Sequence, residues 1–209
     1  MQANNSLKIA VLASGKGSNF KALVQNDIKP GIIDILISDR EDARALQLAG
    51  ELNIEAKFMY PGSYRTKLGI PEEIVWTDFL KNRGIELICL AGFMRIIKGP
   101  LLDEFAGRIM NIHPSLLPAF PGLDAQGQAF KYGVKVAGCT VHYVDRGTDT
   151  GPVIFQESVS VNSDDTRDTL AERILKEEHR IYAKAVKQHC SGNLQVKNRS
   201  VLLRNKLIC

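Results

Sequence analysis

Short apolar runs alternate with helix-forming segments along the first half of the chain, and this alternation constrains the fold more than any other feature. The apolar runs have the length of strands and cover residues 7–13, 31–38, 55–60, 85–91 and 108–112. Helical spacing of apolar residues follows the first three runs, over residues 20–24, 41–52 and 71–83. Because strands that are apolar throughout are buried on both faces, the pattern predicts a Rossmann-like, three-layer α/β fold with a mostly parallel sheet.

The pattern changes after residue 134, where two strands follow each other without a helix between them. Residues 136–144 and 153–159 are joined by a short acidic turn, which indicates antiparallel strands added at the C-terminal edge of the sheet. A long helix is then expected over residues 166–189, capped by Asp164 or Asp165, and residues 194–203 suggest a last strand or hairpin. Because the chain shows neither a repeat nor a linker, we predict a single domain over its whole length.

Composition limits the classes of partner. The chain has 209 residues, of which 44% are hydrophobic, so it is long enough to bury one sizeable core. Its net charge of +4 includes a basic tail, but no basic stripe with interleaved aromatic side chains is present, so we expect no nucleic-acid partner. The polar first residues, and the lack of an apolar run of about 18 residues, predict neither a secretory signal nor a membrane span.

The four cysteines, Cys89, Cys139, Cys190 and Cys209, form no C-x-x-C pair, and the first two lie in apolar strand-like runs. We therefore expect reduced cysteines and a cytoplasmic location. The histidines and cysteines also lack the spacing of metal ligands, so no metal site is predicted.

A glycine-containing loop lies between the first strand and the first helix, where backbone N–H groups and the helix N-terminus attract an anion. The loop lacks the ending of a Walker motif and the third glycine of a dinucleotide-binding loop. Asp39, at the end of the second strand, keeps a dinucleotide site open as an alternative. The best fit is a site for one phosphate held by Gly17, Ser18 and Asn19, and the other interpretation is a tight turn capped by Asn19.

The loop after the fourth strand lies at the carboxyl edge of the expected sheet, where open α/β folds bind ligands. Its apolar side chains would form a slot for a flat heterocycle, with backbone groups reading the ring edge. These side chains are Phe93, Met94, Ile96 and Ile97. The alternative is a loop that faces the core and leaves Arg95 exposed.

An amide, an imidazole and a carboxylate are the candidates for catalysis. Asn111 and His113 are two residues apart in an extended segment, so their side chains point to the same side. The turn after residues 136–144 carries Asp149 and would bring a carboxylate to the same edge of the sheet. Such a set stabilises an oxyanion and moves a proton at a carbonyl carbon. His142 competes with His113 for this role, but its place inside a strand indicates a supporting position.

Glu178 interrupts the apolar stripe of the long helix. The stripe consists of Leu170, Ile174, Ile181 and Ala185. Because a buried carboxylate is costly unless it is paired, Glu178 has two interpretations, an internal salt bridge or a partner for a substrate amine or sugar hydroxyls.

Five segments together resemble one known family. They are residues 14–19 (Ser-Gly-Lys-Gly-Ser-Asn), 91–96 (Ala-Gly-Phe-Met-Arg-Ile), 111–118 (Asn-Ile-His-Pro-Ser-Leu-Leu-Pro), 120–122 (Phe-Pro-Gly) and 149–152 (Asp-Thr-Gly-Pro). In these segments the chain resembles the phosphoribosylglycinamide formyltransferases, which belong to the folate-dependent formyl transferases. The resemblance runs from the first strand to Tyr182. It implies transfer of the formyl group of 10-formyltetrahydrofolate to the amine of glycinamide ribonucleotide in purine biosynthesis.

The resemblance also implies a role for each candidate residue. Residues that would hold the ribonucleotide are Gly17, Ser18, Asn19 and Glu178. Residues that would border the folate pocket are Arg65, Met94, Arg95, Ile96, Ile97, Asn111 and Asp145. Asn111 and His113 would stabilise the oxyanion, while Asp149 would keep His113 protonated and assist proton transfer to the leaving folate nitrogen.

By the same likeness, the single domain of residues 1–209 divides by function. Residues 1–100 would bind the phosphate and the ribonucleotide, residues 101–190 would hold the catalytic groups and the folate, and residues 191–209 form a basic tail without an implied role. The implied partners are small molecules, with 10-formyltetrahydrofolate as co-substrate and no metal, and either a monomer or a homodimer is compatible with this reading.

Related proteins supply the alternatives. A methionyl-tRNA formyltransferase would be longer and carry a C-terminal RNA-binding domain, and a formyltetrahydrofolate hydrolase would carry an extra N-terminal regulatory domain. A nucleotide-binding module without activity would require Asn111, His113 and Asp149 all to be structural. The chain departs from the family pattern in the segment after Gly122, where Gly127 should weaken a helix start by about 1 kcal/mol relative to Ala.

Overall fold

One mixed sheet forms the centre of the computed structural model, which describes residues 6–204. Within this range its nine strands are β1 (Leu7–Leu12), β2 (Gly31–Ser38), β3 (Ala56–Phe58), β4 (Leu87–Leu90), β5 (Ile109–His113), β6 (Val136–Tyr143), β7 (Val153–Ser160), β8 (Leu194–Lys197) and β9 (Ser200–Leu203). The helices are α1 (Ser18–Gln25), α2 (Arg44–Glu51), α3 (Ile70–Asn82), α4 (Pro100–Glu104), α5 (Ala125–Tyr132) and α6 (Arg167–Cys190).

The strand order is β3-β2-β1-β4-β5-β6-β7-β9-β8. The first five strands in this order pair in parallel, whereas β6 is antiparallel to both β5 and β7. β9 pairs with β7 in parallel, and β8 and β9 form an antiparallel hairpin at the edge. The predicted α/β fold, with a mostly parallel sheet and antiparallel strands toward the C-terminal edge, is confirmed.

The sheet separates two apolar cores, because successive side chains of a strand point to opposite faces. In β1, Ile9 and Val11 enter the core that α1, α2 and α6 cover. Ala10 and Leu12 enter the core that α3 and α4 cover. All four side chains are fully buried, which explains why this strand is apolar along its length and confirms the three layers.

The long helix α6 begins close to the expected residue but has a different cap. Its N-cap is Thr166, which accepts the Thr169 N–H, while the Thr169 hydroxyl accepts the Thr166 N–H in return. The prediction of Asp164 or Asp165 as the cap is wrong. The Asp165 carboxylate instead accepts two hydrogen bonds from the Arg173 guanidinium, which hold the pKa of Asp165 well below its usual value.

Tyr182 joins α6 to the centre of the sheet. Its buried hydroxyl lies 3.0 Å from the Leu90 carbonyl and 3.2 Å from the Met110 carbonyl, so one donor is shared between β4 and β5. Burial raises the pKa of the Tyr182 phenol far above its usual value. The contact therefore fixes the end of β4, where the next loop begins, and the part of β5 that precedes Asn111.

The expected cytoplasmic location rests on reduced cysteines, and the expected lack of a membrane span rests on the composition of the helices. Cys89 and Cys139 are buried in the core, as expected, and burial raises the pKa of the Cys139 thiol to about 12. Among residues 6–204, no helix is long and apolar enough to cross a membrane. Cys209 lies outside the described residues, and the cytoplasmic location, the oligomeric state and the division by function stay predictions.

We predict that Tyr182→Phe lowers the free energy of unfolding by about 1–3 kcal/mol, because two buried carbonyls lose a shared donor while the ring keeps its packing. The midpoint of urea unfolding measures this loss. Tyr60→Phe is the matched control, since the Tyr60 side chain is 61% exposed. Equal midpoints for the two variants would contradict the role given to the Tyr182 hydroxyl.

Candidate active site

A cavity of about 400 Å³ lies at the carboxyl ends of β4 and β5, the edge where ligands were expected. The predicted site residues that line it are Asn19, Met94, Arg95, Ile96, Ile97, Asn111, His113, Asp145, Asp149 and Glu178. Gly17, Ser18 and Arg65 are not part of its lining. One cavity therefore contains all three catalytic candidates, most of the folate candidates and two of the four ribonucleotide candidates.

The loop between β1 and α1 makes a turn that requires glycine. Gly17 has φ +80°, and a Cβ at this position would lie 3.0 Å from the Ala45 Cβ. The helix begins at Ser18 with Gly17 as its N-cap, so the interpretation of Asn19 as the cap is wrong. Because Gly17 has no side chain to cap the helix, the first N–H groups of α1 remain available to an anion.

Asn19 instead connects α1 to Glu178 on α6. Its Nδ2 group donates to the Glu178 Oε2 atom at 2.7 Å, and both side chains are buried. Burial raises the pKa of the Glu178 carboxyl, and the Asn19 hydrogen bond opposes this shift. Within residues 6–204, Glu178 has no cationic partner, so it does not form the internal salt bridge considered above, and the Asn19 Oδ1 atom is buried without a hydrogen-bond partner.

Asp39 is bound within the protein, which argues against a dinucleotide site. Its carboxylate accepts from Ser14 Oγ at 2.6 Å and from Arg95 Nε at 2.7 Å, and the side chain is 2% exposed. Ser14 Oγ in turn accepts the Met94 N–H at 2.9 Å. A carboxylate with these partners is not free to bind a ribose hydroxyl. It fixes the loop after β4 against the ends of β1 and β2 instead.

Residues 92–97 are called the folate strip below, because the resemblance implies that Met94, Arg95, Ile96 and Ile97 would border a folate. On the side away from Asp39, the segment 64–68 holds this strip. The Ile96 N–H donates to the Thr66 carbonyl at 2.9 Å, and the Ile96 carbonyl accepts the Leu68 N–H at 3.2 Å. These two bonds form a short parallel bridge. The strip is therefore a fixed part of the cavity wall rather than a loop free to rearrange.

Arg95 differs from the exposed side chain of the alternative interpretation. Besides its ion pair with Asp39, its guanidinium donates to the Tyr64 carbonyl, and only 15% of the side chain is exposed. Arg95 thus ties the folate strip to two neighbouring segments. Arg65 is exposed on the segment that contacts the strip, and its role in folate binding stays a prediction.

A backbone carbonyl decides which nitrogen of His113 faces the cavity. His113 Nε2 lies 2.9 Å from the Phe120 carbonyl oxygen. Because a carbonyl only accepts, Nε2 carries a proton and Nδ1 is left to face Asp149. The sequence did not predict this contact of Phe120, since a main-chain acceptor at φ +52° leaves no signal in the side-chain pattern.

His142 supports Asn111 from the neighbouring strand, as its place inside β6 indicated. The two residues are directly opposite each other in the β5–β6 pair. His142 Nδ1 donates to the Tyr143 carbonyl at 2.9 Å, and burial lowers the pKa of His142. The neutral Nε2 atom therefore accepts from Asn111 Nδ2 at 3.3 Å. This bond uses one N–H of the amide and leaves the other for the cavity.

Asp149 reaches the site by a route that differs from the expected one. Because β6 is antiparallel to β5, its last residue, Tyr143, lies beside Met110 and not at the carboxyl edge. The segment 144–152, called the Asp149 loop below, must therefore turn back along these strands to reach His113. Asp149 and His113 lie close together, as expected. The turn that carries Asp149, however, does not follow a strand that points toward the carboxyl edge of the sheet.

The Asp149 carboxylate lies between the two imidazoles. Its Oδ2 atom is 3.5 Å from His113 Nδ1, and its Oδ1 atom is 3.8 Å from His142 Nε2. The Gly122 N–H donates to Oδ2 at 2.8 Å and fixes the carboxylate. Both imidazole distances are longer than a hydrogen bond of good geometry, so the carboxylate lies close to both rings without a direct hydrogen bond to either.

The contacts of Asp124 explain why a glycine occupies position 127, at the start of α5. Asp124 is the N-cap of α5 with φ +53°, and a Cβ at Gly127 would lie 2.2 Å from the Asp124 carboxylate. Asp124 also pairs with Arg167 at 2.5 Å, at the first turn of α6. Gly127 therefore makes room for a carboxylate that joins two helices. Asp124 and Gln126 line the cavity, although sequence reasoning assigned them no contact.

Comparison with known proteins identifies the family. The formyl transferase family model matches residues 7–186. Phosphoribosylglycinamide formyltransferase of Bacillus subtilis is 46% identical over 87% of this chain and 93% of its own. Trifunctional purine biosynthetic protein adenosine-3 of Gallus gallus is 41% identical over 92% of this chain but 19% of its own. The crystal structure of glycinamide ribonucleotide transformylase 1 from Symbiobacterium toebii, 44% identical, has a TM-score of 0.89, with 97% of this chain and 95% of that chain covered.

The family model extends over most of this chain, and the residues that it matches include Asn111, His113 and Asp149 of the cavity. The chain therefore belongs to the formyl transferase family, and within it to the phosphoribosylglycinamide formyltransferases.

Proposed function

We propose that this protein transfers the formyl group of 10-formyltetrahydrofolate to the amine of glycinamide ribonucleotide, a step of purine biosynthesis. The observation that carries the proposal is the convergence of the Asn111 amide, the His113 imidazole and the Asp149 carboxylate on one cavity. Support also comes from relatives whose names state this activity, at 46% and 44% identity.

The apolar wall of the cavity suits the flat heterocycle of a folate. Its side chains on the folate strip are Phe93, Met94, Ile96 and Ile97. Because the strip is fixed by Asp39 on one side and by the segment 64–68 on the other, its backbone groups are preorganised to read the edge of a ring. Asp145 also lines the cavity. The folate would lie against the apolar wall, with its formyl group toward Asn111.

The polar side of the cavity suits the ribonucleotide. The N-terminus of α1, with Gly17 and Ser18, offers backbone N–H groups to a phosphate. Glu178 and the unpartnered Asn19 Oδ1 atom offer acceptors to sugar hydroxyls or to the amine. The nucleophile would thereby be held on the side of the cavity opposite the heterocycle, with the formyl carbon between them.

Chemistry begins when the amine attacks the formyl carbon and negative charge develops on the formyl oxygen. The free N–H of Asn111 and the Nδ1–H of a doubly protonated His113 would donate to this oxygen. Because the charge appears only as the new C–N bond forms, these donors stabilise the transition state more than the bound substrates. Asp149 would then take the proton from the attacking nitrogen and deliver it to the folate nitrogen, whose bond to carbon breaks.

The first test is whether folate deformylation depends on the acceptor. Spectrophotometric measurement of the deformylated folate is made with and without glycinamide ribonucleotide. Turnover that requires the ribonucleotide is the expected result. Equal turnover in its absence would identify a hydrolase that uses water, and ribonucleotide binding without turnover would contradict the proposed activity.

Two substitutions test the catalytic groups. His113→Ala and Asp149→Asn are each expected to lower kcat by about 10²–10⁴-fold, the range for loss of a positioned acid–base group. Ribonucleotide binding, measured by calorimetry, should be retained, since neither side chain is among the groups proposed to hold that substrate. Asp168→Asn, in the exposed first turn of α6, is the control. Near-wild-type rates in both variants would contradict the mechanism.

A third substitution tests the cost of burying Glu178. Its raised pKa means that the folded protein binds more protons than the unfolded chain, so stability falls as the pH rises above the ordinary value of 4.5. Glu178→Gln keeps an acceptor for Asn19 without the charge. At pH 8 its Tm should exceed that of the wild type by about 2–4 °C, the shift that about 1 kcal/mol produces at this size.

The Tm advantage of Glu178→Gln should disappear below pH 4, where the wild-type carboxyl is neutral in both states. Glu172→Gln, exposed on the same helix, should show no such pH dependence. A Tm difference that is constant from pH 4 to pH 8 would mean that burial of the Glu178 charge does not limit stability.

A further inference from the structure

The C-terminal hairpin, formed by β8 and β9, does not line the cavity. It lies against the point where the Asp149 loop rejoins the sheet. β9 pairs with β7 through Ser200 and Val153, and Val153 is the first residue of β7. The two-residue turn between β8 and β9, formed by Asn198 and Arg199, therefore lies next to the end of the loop.

Arg199 in this turn makes a direct contact with the loop. Its Nη2 group donates to the carbonyl oxygen of Thr150 at 2.7 Å. Thr150 is the residue that follows Asp149, so the guanidinium fixes the peptide group between Thr150 and Gly151. A hydrogen bond from a charged donor is stronger than one between neutral groups, and this one connects segments that are distant in the sequence.

The same residue is held from within the loop. The Thr150 hydroxyl donates to Asp145 Oδ1 at 2.6 Å, and the Gly147 N–H donates to the same oxygen at 3.0 Å. Gly151 packs so tightly that a Cβ there would lie 1.7 Å from the Tyr143 carbonyl oxygen. The loop therefore closes on itself through Asp145, while Arg199 attaches the closed loop to the hairpin.

Asp149 needs such an attachment, because its backbone lies in the left-handed region with φ +55°. A non-glycine residue is strained in this conformation and keeps it only where the surrounding structure holds it. Gly122 holds the carboxylate itself, but the backbone of Asp149 is held through its neighbour Thr150. Loss of the attachment would let the carboxylate move away from His113.

We propose that Arg199 is a positioning residue, which holds Asp149 beside His113 through the Thr150 carbonyl. This inference rests on the proposed function, in which Asp149 moves the proton. It assigns a role in formyl transfer to the C-terminal hairpin, whose residues contribute nothing to the cavity lining. Because Arg199 is not among the residues that line the cavity, its effect should appear in the rate of the chemical step and not in ribonucleotide binding.

The first experiment does not depend on activity. Amide hydrogen exchange of residues 146–151 is compared in the wild type, Arg199→Ala and Lys197→Ala, by mass spectrometry of the same peptide. Arg199→Ala should exchange about three- to tenfold faster, as expected for the loss of one charge-assisted hydrogen bond. Lys197→Ala removes one positive charge from the same hairpin and should exchange like the wild type. Equal exchange in all three proteins would overturn the proposal.

The second experiment connects the attachment to Asp149. Arg199→Ala should lower kcat by about three- to tenfold while the KM for the ribonucleotide is unchanged, and Arg199→Lys should restore part of the loss because Lys also donates. In an Asp149→Asn background, Arg199→Ala should have no further effect. A loss of the same size in both backgrounds, or an unchanged kcat despite faster exchange, would overturn the positioning role.

The two experiments separate this inference from the proposed function. If deformylation does not depend on the ribonucleotide, the proposed function fails, while the exchange comparison still decides whether Arg199 holds the loop. If transfer occurs and exchange is unchanged, only the role of Arg199 fails. Circular dichroism melting of Arg199→Ala should match that of Lys197→Ala, so that neither result is attributed to unfolding.

Discussion

One backbone turn, residues 120–122, holds both partners of the contact on which the proposed chemistry depends. The Phe120 carbonyl accepts from His113 Nε2, and the Gly122 N–H donates to the Asp149 carboxylate. The imidazole is thereby oriented with Nδ1 toward the carboxylate, and the carboxylate is fixed 3.5 Å from that nitrogen. Gly122 has φ +81°, a conformation that side chains disfavour, so the turn depends on a glycine at this position.

Two of the buried carboxylates, Asp39 and Glu178, have different roles. Asp39 is paired with Arg95 and receives the Ser14 hydroxyl, so its charge is balanced and it holds the folate strip in place. Among residues 6–204, Glu178 receives the Asn19 amide and has no counter-ion, and its raised pKa reflects the cost of burying the charge. Such a cost is typical of a group retained for ligand binding rather than for stability.

The parallel half of the fold could be predicted from the sequence, because strands such as β1 are buried on both faces and are therefore apolar throughout. The sequence also indicated Asn111 and His113, since a spacing of two in a strand fixes a common side. It could not give the route of the Asp149 loop, which follows from the register of an antiparallel pair. Nor could it give the Phe120 carbonyl or the place of Gly127 under Asp124, because these depend on the backbone positions of distant segments.

The proposed mechanism depends on the Asn111 amide and His113 Nδ1, which would receive the charge that develops on the formyl oxygen. The most direct test is a crystal structure with a stable analogue that joins the ribonucleotide to the folate through a tetrahedral carbon. We expect the oxygen of that carbon to lie about 2.7–3.1 Å from both Asn111 Nδ2 and His113 Nδ1. An oxygen that points away from both groups, toward Glu178 or toward solvent, would contradict it.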